Sequence, residues 1–156
     1  MKFITNSDKE TRDLGEALGK KLGANDCLAL WGDFGSGKTT FVKGLAQGLR
    51  VKRPRAVSSP SFVVLKIYDG RLPLYHFDLY RLGRVRDCGQ IGIDEFLASG
   101  GVAAIEWPEQ AGGSLPLGTL DVKFKVVGLT QRSIIFKSTS VRLNKVVARI
   151  GRIGKP

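Results

Sequence analysis

Residues 28–41 read LALWGDFGSGKTTF. Leu28, Ala29, Leu30 and Trp31 form an apolar run suited to a buried strand. It empties into Gly32-Asp33-Phe34-Gly35-Ser36-Gly37-Lys38-Thr39, a complete G-x-x-x-x-G-K-[ST] pattern. The glycines let the backbone curl until successive N–H groups aim inward at oxygen anions, and a following helix adds the positive end of its dipole. Such a loop holds phosphate. Gly35, Ser36, Gly37, Lys38, Thr39 and Thr40 are its candidate nucleotide ligands, with Lys38 neutralising β- and γ-phosphate charge and the Thr39 hydroxyl holding a Mg²⁺ ion. The strand signal before it and the helix signal after it separate the stretch from a chance glycine-rich turn.

The second element such a site needs lies about 70 residues on. Val102, Ala103, Ala104 and Ile105 are again continuously apolar and end on Glu106. A carboxylate at the C-terminal end of a buried strand can reach the metal or its waters beside the phosphate loop, so Glu106 is read as the Walker B acid.

Around these elements the pattern alternates. Lys2 to Thr5 suits a short strand, and Ser7-Asp8-Lys9-Glu10 has the spacing of a capping box. The helix it opens places Leu14, Ala17, Leu18 and Leu22 on one face, and on spacing alone Thr11 is an ordinary solvated residue of its first turns. A second helix over 39–48 turns Phe41, Val42 and Leu45 inward, and the basic, Pro54-containing run 50–55 is an exposed connection. In Val57-Ser58-Ser59-Pro60-Ser61-Phe62 the proline keeps Ser59 extended. A hydroxyl-rich loop there suits a γ-phosphate-sensing switch, and equally an ordinary polar loop.

Asp69-Gly70 marks a hairpin between runs 63–68 and 72–80. In its second strand Leu74, His76, Asp78 and Tyr80 share a face. The sole histidine, two residues from a carboxylate, could belong to a water-orienting pair, but the residues alone favour a hydrogen-bonded polar edge. Residues 81–87 form a charged loop, 93–98 a short helix, 120–126 and 133–136 strands, and Leu143, Val146, Val147 and Ile150 the apolar stripe of a basic terminal helix that frays over 151–156.

With 156 residues the chain suits one folded domain over 1–137, able to bury about two-thirds of its unfolded surface, and a basic extension over 138–156. Cys27 and Cys88 fit neither a zinc site nor a disulfide framework, so a reduced cytoplasm suits them. There is no leader signal, and no apolar run approaches the roughly 20 residues of a bilayer span, so no membrane contact is expected. The net charge is +11, and residues 122–156 hold nine basic residues and no acidic one. That end could meet an anionic partner such as nucleic acid or be a solvated basic face; no RNA-binding fingerprint accompanies it.

Taken together, Gly32-Asp33-Phe34-Gly35-Ser36-Gly37-Lys38-Thr39-Thr40-Phe41, Ser59-Pro60-Ser61-Phe62, His76-Phe77-Asp78-Leu79-Tyr80-Arg81-Leu82 and Ile105-Glu106-Trp107-Pro108-Glu109 closely resemble the TsaE family, bacterial ATPases of tRNA threonylcarbamoyladenosine biosynthesis. The resemblance spans roughly residues 11–132. The expected fold is an α/β, three-layer P-loop NTPase-like sandwich with a largely parallel central sheet plus antiparallel strands.

The resemblance implies ATP and Mg²⁺ as cofactors, with Thr39 and Glu106 at the metal. Lys38, Asp78 and Glu106 would be the catalytic set, Asp78 lying near the γ-phosphate to orient water. The loop Ser59 to Phe62 would be the switch, and Thr11 and Arg132 would lie near the adenine. Slow hydrolysis is expected alone, with TsaB and TsaD as partners and tRNA reached through that complex or through the basic tail. No arginine finger can be named; Arg81 is a candidate that nothing else in the sequence supports.

Ser61 departs from the family's usual threonine, Phe34 and Ser36 from its common leucine and alanine, and the basic end after Lys137 lies outside its pattern. Two other functions compete on sequence: a small-molecule kinase using the same loop, and a basic RNA-binding module with a structural nucleotide.

Overall fold

The computed structural model describes residues 1–60, 62–83, 92–112 and 115–153. The readings made for Ser61, Cys88, residues 84–87 and the last three residues lie outside that set. Seven strands form one sheet: β1 (Lys2–Thr5), β2 (Cys27–Trp31), β3 (Leu65–Tyr68), β4 (Leu74–Asp78), β5 (Val102–Glu106), β6 (Leu120–Val126) and β7 (Arg132–Lys137), in the order β1-β7-β6-β2-β5-β4-β3. The inner four, β6, β2, β5 and β4, run parallel, and β3, β7 and β1 add antiparallel at the two sides. This is the largely parallel sheet with antiparallel additions expected from the sequence.

Among the described residues four α-helices flank the sheet: α1 (Asp8–Gly19), α2 (Lys38–Gly48), α3 (Ile93–Ala98) and α4 (Val141–Ile153). Alternation along the strands separates two cores. Leu28, Leu30, Leu74, Ala104, Val122 and Phe136 face α1, α2 and α4, whereas Cys27, Tyr75, Phe77, Ala103 and Ile105 face α3. Three layers therefore stack over the centre of the sheet. Over β6, β7 and β1 the second face carries exposed Lys123, Lys125, Ile135, Lys137, Lys2 and Ile4.

Ser7 caps α1 by accepting the Glu10 N–H at 3.1 Å, as its spacing predicts. Glu10 reaches back one residue further than in a capping box, to the N–H of Asn6 at 2.8 Å. What sets the position of α1 is a pair of glycine pairs. Gly15 and Gly19 lie against Gly44 and Gly48 of α2, and a methyl group at any of the four would overlap a carbonyl oxygen of the other helix: Phe41, Leu45, Arg12 or Glu16 respectively. The two backbones thus touch directly, and the front of α1 is carried to the loop that opens α2.

The basic end is helical and amphipathic. Leu143, Val146, Val147 and Ile150 of α4 join the core shared by α1 and α2, and Arg142 pairs with the buried Asp26 carboxylate. Lys145 and Arg149 stay exposed. No helix among the described residues is long and apolar enough to cross a membrane.

Candidate functional site

The loop after β2 turns where its glycines allow it. Gly32, Gly35 and Gly37 have φ of 147°, 71° and 105°, a region that strains residues carrying a Cβ. Gly37 then caps α2, and Lys38 and Thr39 stand in its first turn. Lys38 is only 4% exposed. Its Nζ donates to the carbonyls of Gly32 at 2.5 Å and Asp33 at 2.9 Å, and lies 4.5 Å above the Trp107 ring. Burial pushes its pKa below the usual 10.5, against an opposite pull from Glu106, Glu109, Asp78 and Asp33. A cation stripped of water in this way gains strongly from an arriving anion.

Parallel pairing of β4 and β5 sets Asp78 beside Glu106 at the strand ends, next to the end of β2. Glu106, 3% exposed, accepts the Thr39 hydroxyl on Oε1 at 2.9 Å. That contact joins the two halves of the site as read from sequence. The same oxygen lies 2.9 Å from His76 Nε2. His76 is fully buried, because β3 adds outside β4 and turns that strand into an interior one. The polar-edge reading of His76 therefore gives way to a contact inside the site.

Asp78 is gripped from two loops: Oδ2 accepts the Ser59 hydroxyl at 2.6 Å and Oδ1 the Tyr80 N–H at 2.9 Å. Ser59 of the hydroxyl-rich loop thus meets the acid on β4. Thr11 is buried, its hydroxyl 2.7 Å from that of Thr5, so the solvated reading of its spacing does not hold. Its methyl and the Arg132 side chain both face Gly37, 3.7 and 3.9 Å from where a Cβ there would stand. Arg132 also donates to the Gly35 carbonyl at 3.3 Å. Thr40 follows Thr39 in α2, half-buried. Thr11, Lys38, Thr39, Glu106 and Arg132 thus meet at this loop, with Asp78 beside Glu106 at the neighbouring strand end.

The donor set fits Mg²⁺. Thr39 and Glu106 offer hard oxygens at the loop, and Mg²⁺ commonly takes one or two protein oxygens and completes its octahedron with phosphate and water. Among the described residues no three His, Cys, Asp or Glu side chains cluster to cage a metal unaided. Ser36 Oγ and Arg132 Nε are buried without a hydrogen-bond partner among the described residues, which marks the loop as polar and ready for further acceptors and donors.

Periodicity could not reveal one further feature. Phe34, Tyr80 and Trp107, from three separate loops, pack with ring centroids 4.6, 4.7 and 4.9 Å apart beside Lys38. Trp107 adopts a left-handed backbone, φ 58°, just before Pro108. Phe34 remains 64% exposed, so the cluster forms an apolar rim at the loop mouth.

A family model described as threonylcarbamoyl adenosine biosynthesis protein TsaE matches residues 5–134. A Treponema pallidum protein named tRNA threonylcarbamoyladenosine biosynthesis protein TsaE is 37% identical over 134 residues, covering 86% of this chain and 98% of the relative. The Bacillus subtilis protein of the same name is 35% identical over 153 residues, covering 97% and 94%. Among solved structures, the crystal structure of Bacillus subtilis YdiB superposes with a TM-score of 0.80 at 32% identity, covering 99% of this chain and 96% of that one.

Proposed function

The chain belongs to the TsaE family of tRNA threonylcarbamoyladenosine biosynthesis, and from that membership we propose that it is a cytoplasmic, Mg²⁺-dependent ATPase whose slow turnover is completed by TsaB and TsaD. The observation that carries this reading is the 2.9 Å contact between the Thr39 hydroxyl and the Glu106 carboxylate, with Lys38 one residue away. A phosphate loop with a buried lysine, faced by an acid on a neighbouring strand, is what a Mg²⁺-nucleotide requires.

In this reading the loop N–H groups and Lys38 bind the β- and γ-phosphates, and Lys38 leaves the Gly32 and Asp33 carbonyls to do so. Thr39 and Glu106 would hold Mg²⁺, which when bound offsets charge on the transferred phosphoryl group. Asp78 orients the attacking water. Thr11 and Arg132, flanking Gly37, take the nucleoside side. The Ser59 contact links Asp78 to the switch loop, so hydrolysis depends on where that loop sits.

Weak unaided turnover fits the two arginines placed near the site among the described residues. Arg132 is directed to loop carbonyls, and Arg81 lies over the Phe62 ring with 4.3 Å to its centroid. Neither supplies an arginine finger, and a partner that moves the switch loop or completes the site would raise the rate. Contact with tRNA would come through that complex or through the basic face of α4. ATP hydrolysis with and without TsaB and TsaD tests the proposal: Mg²⁺-dependent phosphate release that rises with those proteins is expected. Absence of any MgATP binding overturns it, and phosphate passed to an alcohol rather than water would make the chain a kinase.

A further inference from the structure

His76 has no role in the reading so far, yet it is fully buried. Its Nε2 lies 2.9 Å from Glu106 Oε1, the oxygen that also takes the Thr39 hydroxyl. A carboxylate only accepts, so Nε2 must carry the proton. Nδ1 has no hydrogen-bond partner among the described residues. That asymmetry suits the tautomer with a bare Nδ1, because the alternative would bury an unpaired N–H and set a bare Nε2 lone pair against the carboxylate.

The geometry points to His76 as a positioning residue for the metal site, acting through Glu106. The inference rests on the MgATP reading above. The contacts form a chain: His76 Nε2–H holds Glu106 Oε1, and Oε1 receives the Thr39 O–H. With its proton committed to Glu106, Thr39 turns its oxygen lone pairs away from the carboxylate and toward the loop, where Mg²⁺ would sit. Glu106 would then offer its other carboxylate oxygen to the ion or its waters. Without the imidazole donor, Oε1 loses a fixed partner, Glu106 gains rotational freedom, and Thr39 loses its orientation. Partners one step removed from a metal ligand commonly govern affinity in this way. The register supports it: His76 pairs with Ala104, whose missing bulk leaves room beside β5 for the ring to reach along the strand to Glu106.

Because the chain has a single histidine, ¹⁵N-histidine labelling reads this pair alone. In nucleotide-free protein the spectrum should show the proton on Nε2, and Glu106→Gln should move that resonance. In a second experiment, the Mg²⁺ concentration for half-maximal enhancement of nucleotide binding is measured for His76→Leu and His76→Gln. His76→Leu should raise it by roughly 10–100-fold and leave ATP binding in EDTA unchanged. His76→Gln, whose amide nitrogen can replace Nε2 as donor, should restore most of the metal response.

A proton on Nδ1, an unaltered Mg²⁺ requirement in His76→Leu, or equal loss in the two variants overturns the inference. If His76→Leu fails to fold, the wild-type spectrum and His76→Gln decide. If the wild type binds no MgATP, the ATPase reading fails on its own while the tautomer still reports on the pair.

Discussion

Ser59 donates its hydroxyl proton to Asp78 across 2.6 Å, tying the loop after α2 to the end of β4. The Tyr80 N–H occupies the other carboxylate oxygen, so Asp78 is held from both sides by chain that precedes and follows it. A hydrogen bond to a charged group contributes about 1.5–3 kcal/mol, enough to set the resting orientation of the acid. Removing the hydroxyl with Ser59→Ala should raise basal phosphate release by roughly 10-fold, the equivalent of one such bond, and shrink the stimulation proposed for TsaB and TsaD. Unchanged basal and stimulated rates would show that Ser59 does not restrain Asp78.

Lys38→Met should abolish nucleotide binding while the protein stays folded. Its thermal midpoint should equal or exceed that of wild type, since the variant no longer buries a charge. The pH dependence has a definite sign. Burial lowers the Lys38 pKa, so between that value and 10.5 the unfolded chain binds more protons than the folded one. Wild-type stability should therefore rise relative to Lys38→Met as pH climbs through that window, as measured by urea melts at successive pH values. A falling difference would reverse the assignment.

Glu106→Gln keeps the size of the side chain and an oxygen for the Thr39 hydroxyl, but loses the charge. Nucleotide binding should persist, and Mg²⁺-dependent hydrolysis should drop by about 100-fold or more. Isothermal titration with ATP and a phosphate-release assay separate the two effects. Full turnover in this variant would remove Glu106 from the metal site.

Gly44→Ala tests the helix contact. In an exposed helix the change would stabilise by about 0.5–1 kcal/mol. Here the new methyl collides with the Arg12 carbonyl, backbone that cannot swing aside, and overpacking of this kind costs about 1–3 kcal/mol or more. The second effect is larger, so a net loss of stability is expected in urea denaturation, with weaker nucleotide binding as α1 carries Thr11 away from Gly37. A stabilised variant would show that the helices separate freely.

Much of this site could be read from local pattern. The phosphate loop and the Glu106 strand are short runs whose chemistry depends on residues adjacent in sequence, and the hairpin at Asp69-Gly70 and the helix at Ile93–Ala98 follow the same logic. His76 escaped because its burial depends on strand order: only the addition of β3 outside β4 removes it from an edge. The burial of Thr11, a residue singled out only through the family resemblance, escaped its spacing for a related reason, since helical spacing does not record that α1 lies backbone to backbone on α2. The glycines that cause this, 15 with 19 and 44 with 48, are spaced at i and i+4, a visible signal whose partner was not. The aromatic rim joins three loops that have no periodicity to share.

Both indoles of the chain belong to this neighbourhood. Trp31 closes β2 immediately before the phosphate loop and is pinned through its ring N–H to Asp121 at 2.8 Å, whereas Trp107 has the Lys38 ammonium over its face. An anion that drew Lys38 away would strip Trp107 of its cation, whereas the cation over the Trp31 ring, 5.9 Å from its centroid, is Lys123. Occupancy of the loop should therefore change the emission of Trp107 more than that of Trp31, a difference that can be followed in the unlabelled chain.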